Sequence, residues 1–131
     1  MIDYDNKILK QAYAFPDEDE MEVAKFLVDG GAKLILFLTP NLAPNTDTPD
    51  MLVDRKIKWE IKTPDRSTDR ALQRAFRVAL HQSENVIFYI KNLKISEENT
   101  TRTLKRLFAQ LKSARRLKII TRSGRIIDFI K

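Results

Sequence analysis

Glu60 and Lys62 stand two residues apart in the run Ile57-Lys58-Trp59-Glu60-Ile61-Lys62, and Asp50 precedes them in Thr48-Pro49-Asp50-Met51-Leu52-Val53. Successive strand residues point to opposite sides, so Glu60 and Lys62 share one face while Ile57, Trp59 and Ile61 take the other. A hairpin turning at Asp54-Arg55-Lys56 brings Asp50 back beside them. Two carboxylates and an ammonium then converge. Such a set suits Mg²⁺, which takes one or two carboxylates, keeps several waters and leaves positions to substrate phosphate. The metal would lower the pKa of a bound water and offset charge on a transferring phosphoryl group, with the ammonium aiding the attacking water or the developing oxyanion. An E-x-K triplet also reads as a solvated strand face, with Glu60 paired between two lysines in contacts worth under about 1 kcal/mol each.

Composition narrows the chemistry to carboxylates. The chain has 131 residues, no Cys and a single His, which removes disulfide scaffolds, thiol catalysis, thiolate zinc and His-rich metal sites. Its longest apolar run, Leu34 to Leu38, is far short of the roughly 20 residues a membrane span needs, and its acidic start does not resemble a signal peptide. The formal net charge of +6 is uneven. Residues 1–65 carry 13 acids and 8 bases (net −5), whereas residues 66–131 carry 5 acids and 16 bases (net +11), ten of them Arg. This asymmetry suits a polyanion partner, and equally a set of solvated helix faces.

The elements that must position these groups are legible in turn signals and periodicity. Residues 1–16 form a lead-in that no pattern assigns. Pro16 and the acids after it open a helix near 17–29, stopped by Gly30-Gly31. Its apolar stripe of Val23, Ala24, Leu27 and Val28 includes Glu20, whereas Glu22 projects to the opposite side. Glu20 is therefore either a dipole-favourable acid at the helix start or a carboxylate aimed at a site. Lys33 to Thr39 reads as a buried strand and Pro40 to Pro49 as a loop, before the hairpin. Ser67 or Thr68 caps a helix over 68–83, with Arg70, Arg74, Arg77 and His81 opposite its apolar face. Val86 to Ile90 is a strand, and the strand, helix, strand order predicts a parallel crossover. A second amphipathic helix is expected over 97–116, followed by a hairpin of Leu117 to Ile120 and Ile126 to Ile130. The sum is one α/β domain with a mixed central sheet flanked by helices.

The string from Thr48 to Asp54, followed by Lys58-Trp59-Glu60-Ile61-Lys62-Thr63-Pro64, resembles the PD-(D/E)xK nuclease superfamily. Within it, the likeness is to the tRNA-cleaving C-terminal toxin domains of contact-dependent growth inhibition (CdiA-type) proteins. In that group a Pro-Asp opens a strand, a turn follows, and a Trp-Glu-x-Lys segment ends in a Thr- or Ser-Pro step. Glu20 to Leu27 with Gly30-Gly31 looks like the family's first helix, and Ala79-Leu80-His81-Gln82 like the end of its crossover helix. The turn departs from the family, having Asp54-Arg55-Lys56 where Asp-Gly is frequent.

The resemblance implies a restriction-endonuclease-like core over 17–91, with residues 92–131 adding a basic helix and terminal hairpin. It implies that Asp50, Glu60 and the main-chain carbonyl of Ile61 ligate the metal, that Glu20 is the helix acid of the same centre, and that Lys62 positions the attacking water. Gln82 would be accessory, and Arg70, Arg74 and Arg77 would clamp substrate phosphates. The expected cofactor is Mg²⁺, with Mn²⁺ or Zn²⁺ as substitutes. The expected activity is cleavage of RNA, tRNA in preference to DNA, in the cytoplasm of a cell to which a larger exported protein delivers the domain. A cognate immunity protein is the implied partner. A DNA endonuclease of restriction or repair type, and a non-catalytic nucleic-acid-binding module of the same fold, are the rival readings.

Overall fold

A computed structural model describes residues 2–40 and 48–131. The central part of the expected 40–49 loop thus lies outside the described residues. The elements, in order, are α1 (Tyr4–Lys7), β1 (Ile8–Lys10), α2 (Glu18–Asp29), β2 (Ile35–Phe37), β3 (Met51–Val53), β4 (Ile57–Lys62), α3 (Asp69–Leu80), β5 (Asn85–Tyr89), α4 (Glu97–Gln110), β6 (Arg116–Ile120) and β7 (Ile126–Ile130). The seven strands lie side by side in sequence order in one sheet. It is mixed: β1 is parallel to β2 and β4, β5 and β6 are mutually parallel, while β2–β3, β3–β4 and β6–β7 are antiparallel. The parallel β4–β5 pair is the crossover expected around α3.

Strand alternation divides the core between the two sheet faces. Trp59, Ile61, Ile87, Tyr89 and Ile120 pack with Val23, Ala24, Leu27 and Val28 of α2. Val86, Phe88, Leu117 and Ile119 pack with Leu72, Phe76 and Ala79 of α3 and with Leu104, Leu107 and Phe108 of α4. Burial of this many large side chains on both sides, at roughly 25 cal/mol per Å² of apolar surface removed from water, drives the sheet and helices together. Since Glu60 is in register with Val86 and Lys62 with Phe88, both point to the α3–α4 side.

Local chemistry sets the boundaries. Asp17 caps α2: its side chain accepts from the Glu20 N–H at 2.8 Å, and Glu20 Oε1 accepts from the Asp17 N–H at 3.1 Å. This reciprocal pairing satisfies two donors that a helix start leaves open. Thr68 caps α3 in the simpler way, accepting from the Ala71 N–H at 3.2 Å. The β3–β4 connection is the three residues Asp54-Arg55-Lys56, within which the Lys56 N–H donates to the Val53 carbonyl at 3.0 Å, with φ of 53° at Asp54 and 60° at Arg55. Two positive φ values make it the primed turn whose twist matches a hairpin. Asp54 Oδ1 accepts from the Lys33 and Leu34 N–H groups at 2.7 and 2.8 Å and ties the turn to the approach to β2.

Three sequence expectations change. The helix expected over 97–116 stops at Gln110, because Leu111 leaves the helical region at ψ 99° and Ala114 instead closes a turn. Ala114 is buried in that turn, so its apolar spacing imitates a continued helix face, and Arg116 is the first residue of β6. The apolar run 33–39 yields only a three-residue ladder, its ends bonding to Asp54, Asp50 and Gln11 rather than to a strand. The unassigned lead-in holds α1 and the edge strand β1, whose three residues carry no alternation to be read.

Candidate active site

The β3–β4 hairpin places Asp50 directly beside the strand that carries Glu60 and Lys62. Met51 is in register with Trp59, and the Ile61 N–H donates to Asp50 Oδ2 at 2.8 Å. Lys62 Nζ lies 3.7 Å from Glu60 Oε2. Glu60 is only 6% exposed, and its Oε1 is buried with no donor to pair it. A buried, half-satisfied carboxylate is costly to keep ionised. Accordingly, burial first and the neighbouring Asp50 charge second push the Glu60 carboxyl up to about 8. Asp50 is also raised, chiefly by burial, against the lowering effect of the Ile61 N–H.

Glu20, on α2, lies in electrostatic reach of Asp50. Half-buried, it is raised to about 7, mainly by desolvation, with the Asp50 charge contributing. Its Oε1 is also the capping-box acceptor for Asp17, so the residue serves helix and site together. Glu22 is committed elsewhere: Lys91 Nζ pairs with Glu22 Oε2 at 2.7 Å and with Asp19 Oδ1. These two contacts raise the Lys91 pKa, and the Arg122 guanidinium holds the Lys91 carbonyl at 2.7 and 3.1 Å. Sequence reading did not single out Lys91, an isolated lysine beyond a strand end with no periodic signal.

The structure thus brings Asp50, Glu60 and Lys62 together, with Glu20 in electrostatic reach of Asp50. Among the described residues it does not assemble three or more His, Asp or Glu side chains into a group able to hold a metal ion. The expected helix acid Glu20 is thus close to Asp50 electrostatically and outside any such group. The pair of Asp50 and Glu60 still fits a hard divalent cation, since Glu60 Oε1 lacks a partner, the Asp50 charge acts on the same carboxyl, and Mg²⁺ needs only one or two such ligands.

Arg70, Arg74, Arg77 and His81 are exposed on α3 and line a shallow groove of about 290 Å³ with Gln73 and Val78. They lie opposite the buried face of Leu72, Phe76 and Ala79, so they are outside the carboxylate cluster. Gln82 lines a separate groove that also includes Pro49, the neighbour of Asp50. A further groove, of about 680 Å³, is bounded by Phe26, Gly30, Gly31, Asp54, Lys118 and Gly124. It sits at the C-terminal end of α2, with Gly30 roughly 15 Å along the helix from Glu20, and holds none of these groups. No helix among the described residues is long and apolar enough to cross a membrane.

Sheet order and helix placement define an α/β toxin-domain fold: the chain is similar to the solved CdiA-CT/CdiI toxin and immunity complex from Burkholderia pseudomallei, with a TM-score of 0.68 over 95% of this chain and 99% of that one. Identity is 12%, so the likeness is one of fold. Residues 46–126, more than half of the chain, match the contact-dependent growth inhibition CdiA C-terminal domain, and the chain belongs to that family. No curated relative matches it in sequence.

Proposed function

We propose that this domain is a metal-dependent phosphodiesterase of the PD-(D/E)xK type, acting as a toxin on RNA, with tRNA as its preferred substrate. The observation that carries the reading is the buried Glu60 carboxylate, one oxygen unpaired, set against Asp50 and two residues from Lys62 on one strand face. Evolution of a stable fold alone gives no reason to bury two adjacent carboxylates, whose mutual repulsion and desolvation both oppose folding. The order α2, β2, β3, β4, α3, β5 follows the arrangement that the sequence resemblance implies, and membership of the CdiA C-terminal family supports the toxin role.

Asp50 and Glu60 would hold the divalent cation, with a main-chain carbonyl at Ile61 as a further oxygen. When bound, such a cation lowers the pKa of a water and neutralises charge on the phosphate. Asp50 is oriented for this by the Ile61 N–H. The Lys62 ammonium, 3.7 Å from Glu60 Oε2, would hold the attacking water or a non-bridging phosphate oxygen. Glu20 adds negative potential beside Asp50 and so favours the cation. Arg70, Arg74 and Arg77 would contact phosphates away from the cut bond.

The solved relative is a toxin bound to an immunity protein, and the present domain is proposed to have a cognate immunity partner as well. Delivery from a larger exported protein and action in the target cytoplasm belong to the same proposal. The test incubates the protein with total tRNA and, separately, with plasmid DNA, each with Mg²⁺ or chelator, alongside Lys62→Ala and Asp50→Ala. Discrete tRNA fragments that vanish with chelator and in both variants are expected. Plasmid cutting with intact tRNA would replace the RNA assignment by a DNA one, and loss of neither activity in the variants would remove the site assignment.

A further inference from the structure

We infer that the groove between the β3–β4 hairpin, the C-terminal end of α3 and the start of β6 holds the phosphate backbone of the nucleic acid beside the bond to be cut, an inference that rests on the nuclease reading above. The groove has a volume of about 590 Å³ and its walls include Pro49, Lys56, Lys58, Gln82, Asn85 and Arg116. Two of its wall residues neighbour the carboxylate pair along the chain. Pro49 adjoins Asp50, and Lys58 precedes Glu60 by two positions on the same strand face, a step of roughly 7 Å.

Its charge is available. Lys56 and Lys58 are exposed, and neither is in an ion pair among the described residues. Arg116 is half-buried and built in: its Nη1 donates to Asn85 Oδ1 at 3.3 Å, and Asn85 Nδ2 donates to the Lys58 carbonyl at 3.2 Å. Ser83 Oγ donates to the same carbonyl at 3.0 Å. This framework fixes the guanidinium relative to β4 and leaves most of its five donors for a ligand. Glu84 is the acid on the wall, one against three cations, and its main-chain carbonyl accepts from Arg115 and Arg116 N–H groups. A cationic groove whose walls adjoin a carboxylate pair along two strands is complementary to a polyanion that must bring one phosphate to that pair. A flat acidic protein surface would meet the lysines but gain nothing from the neighbouring carboxylates.

The experiment follows fluorescence anisotropy of a fluorescein-labelled tRNA on the full chain in EDTA, over a KCl series. Lys56→Ala, Lys58→Ala and Arg116→Ala should each weaken binding several-fold and reduce the slope of log affinity against log salt by about 1. Lys25→Ala, on the opposite sheet face, should leave the slope unchanged. Arg116→Ala removes a framework bond, so if it melts early the two exposed lysines carry the result. Unchanged slopes for Lys56→Ala and Lys58→Ala would overturn the inference, as would unchanged tRNA binding with weakened binding of an acidic protein partner. Reduced slopes without Mg²⁺-dependent cleavage would leave the groove as a nucleic-acid site and remove the nuclease reading; cleavage with unchanged slopes would do the reverse.

Discussion

The Ile61 N–H donates to Asp50 Oδ2 at 2.8 Å, so the carboxylate at the entrance of β3 is oriented by the strand that carries Glu60 and Lys62. One hairpin therefore supplies both acids, the lysine and the bond that aligns them. A site built on paired strands is held more tightly than one built on loops.

That bond separates two roles of Asp50. Asp50→Asn keeps an acceptor for the Ile61 N–H and loses the charge, whereas Asp50→Ala loses both. Both variants should lower tRNA cleavage by roughly 10²–10⁴, the range typical of a positioned acid–base group, as should Lys62→Ala. Asp50→Ala should also lower Tm, while Asp50→Asn holds or raises it. Equal Tm values for the two would show that the hydrogen bond does not support the hairpin.

Glu60 and Glu20 predict an unusual pH dependence of stability. Their carboxyls are raised from 4.5 to about 8 and about 7, so the folded chain keeps protons that the unfolded chain releases across that window. Where the folded state binds more protons, stability falls as pH rises. The metal-free domain should melt at a higher temperature near pH 5.5 than near pH 8.5, and Glu60→Gln should flatten the difference. Millimolar Mg²⁺ should raise Tm at pH 8 and much less at pH 5.5, since a ligand that binds only the folded state stabilises it. Thermal melts at both pH values check this, and a metal effect independent of pH would exclude the carboxylate pair as its site.

The hairpin turn carries a removable strain. Asp54 and Arg55 both have positive φ, which an L-residue with a Cβ adopts at a cost of about 1 kcal/mol. Arg55→Gly relieves one of them and should stabilise the domain by about 0.5–1 kcal/mol in chemical denaturation. Asp54→Ala should destabilise it, because the Lys33 and Leu34 N–H groups lose their acceptor.

Gly124 predicts the opposite response. It has φ 93°, and a Cβ there would sit 2.4 Å from the Phe26 ring, which packs edge-on against Tyr89. Gly124→Ala should cost about 1–3 kcal/mol, from overpacking and backbone strain together. A loss below a few tenths would mean that the terminal hairpin moves freely away from α2.

Sequence alone determined the hairpin, the three main helix starts and the face shared by Glu60 and Lys62, because each rests on a short-range rule: a period of two, a capping side chain, a glycine stop. It also set Glu20 apart from Glu22 by their positions around one helix. Only the tertiary structure decided what depends on partners distant in the chain. Burial of Glu60, its missing donor and the Asp50 charge beside it arise where α3 closes over β4. Lys91 removes Glu22 by pairing with it across 69 positions of sequence. The end of α4 was misread because Ala114 is buried by tertiary packing in a turn, a fate that spacing cannot distinguish from one more helical turn. Edge strand β1 was invisible because three residues show no period, and they are a strand only because β2 offers its edge.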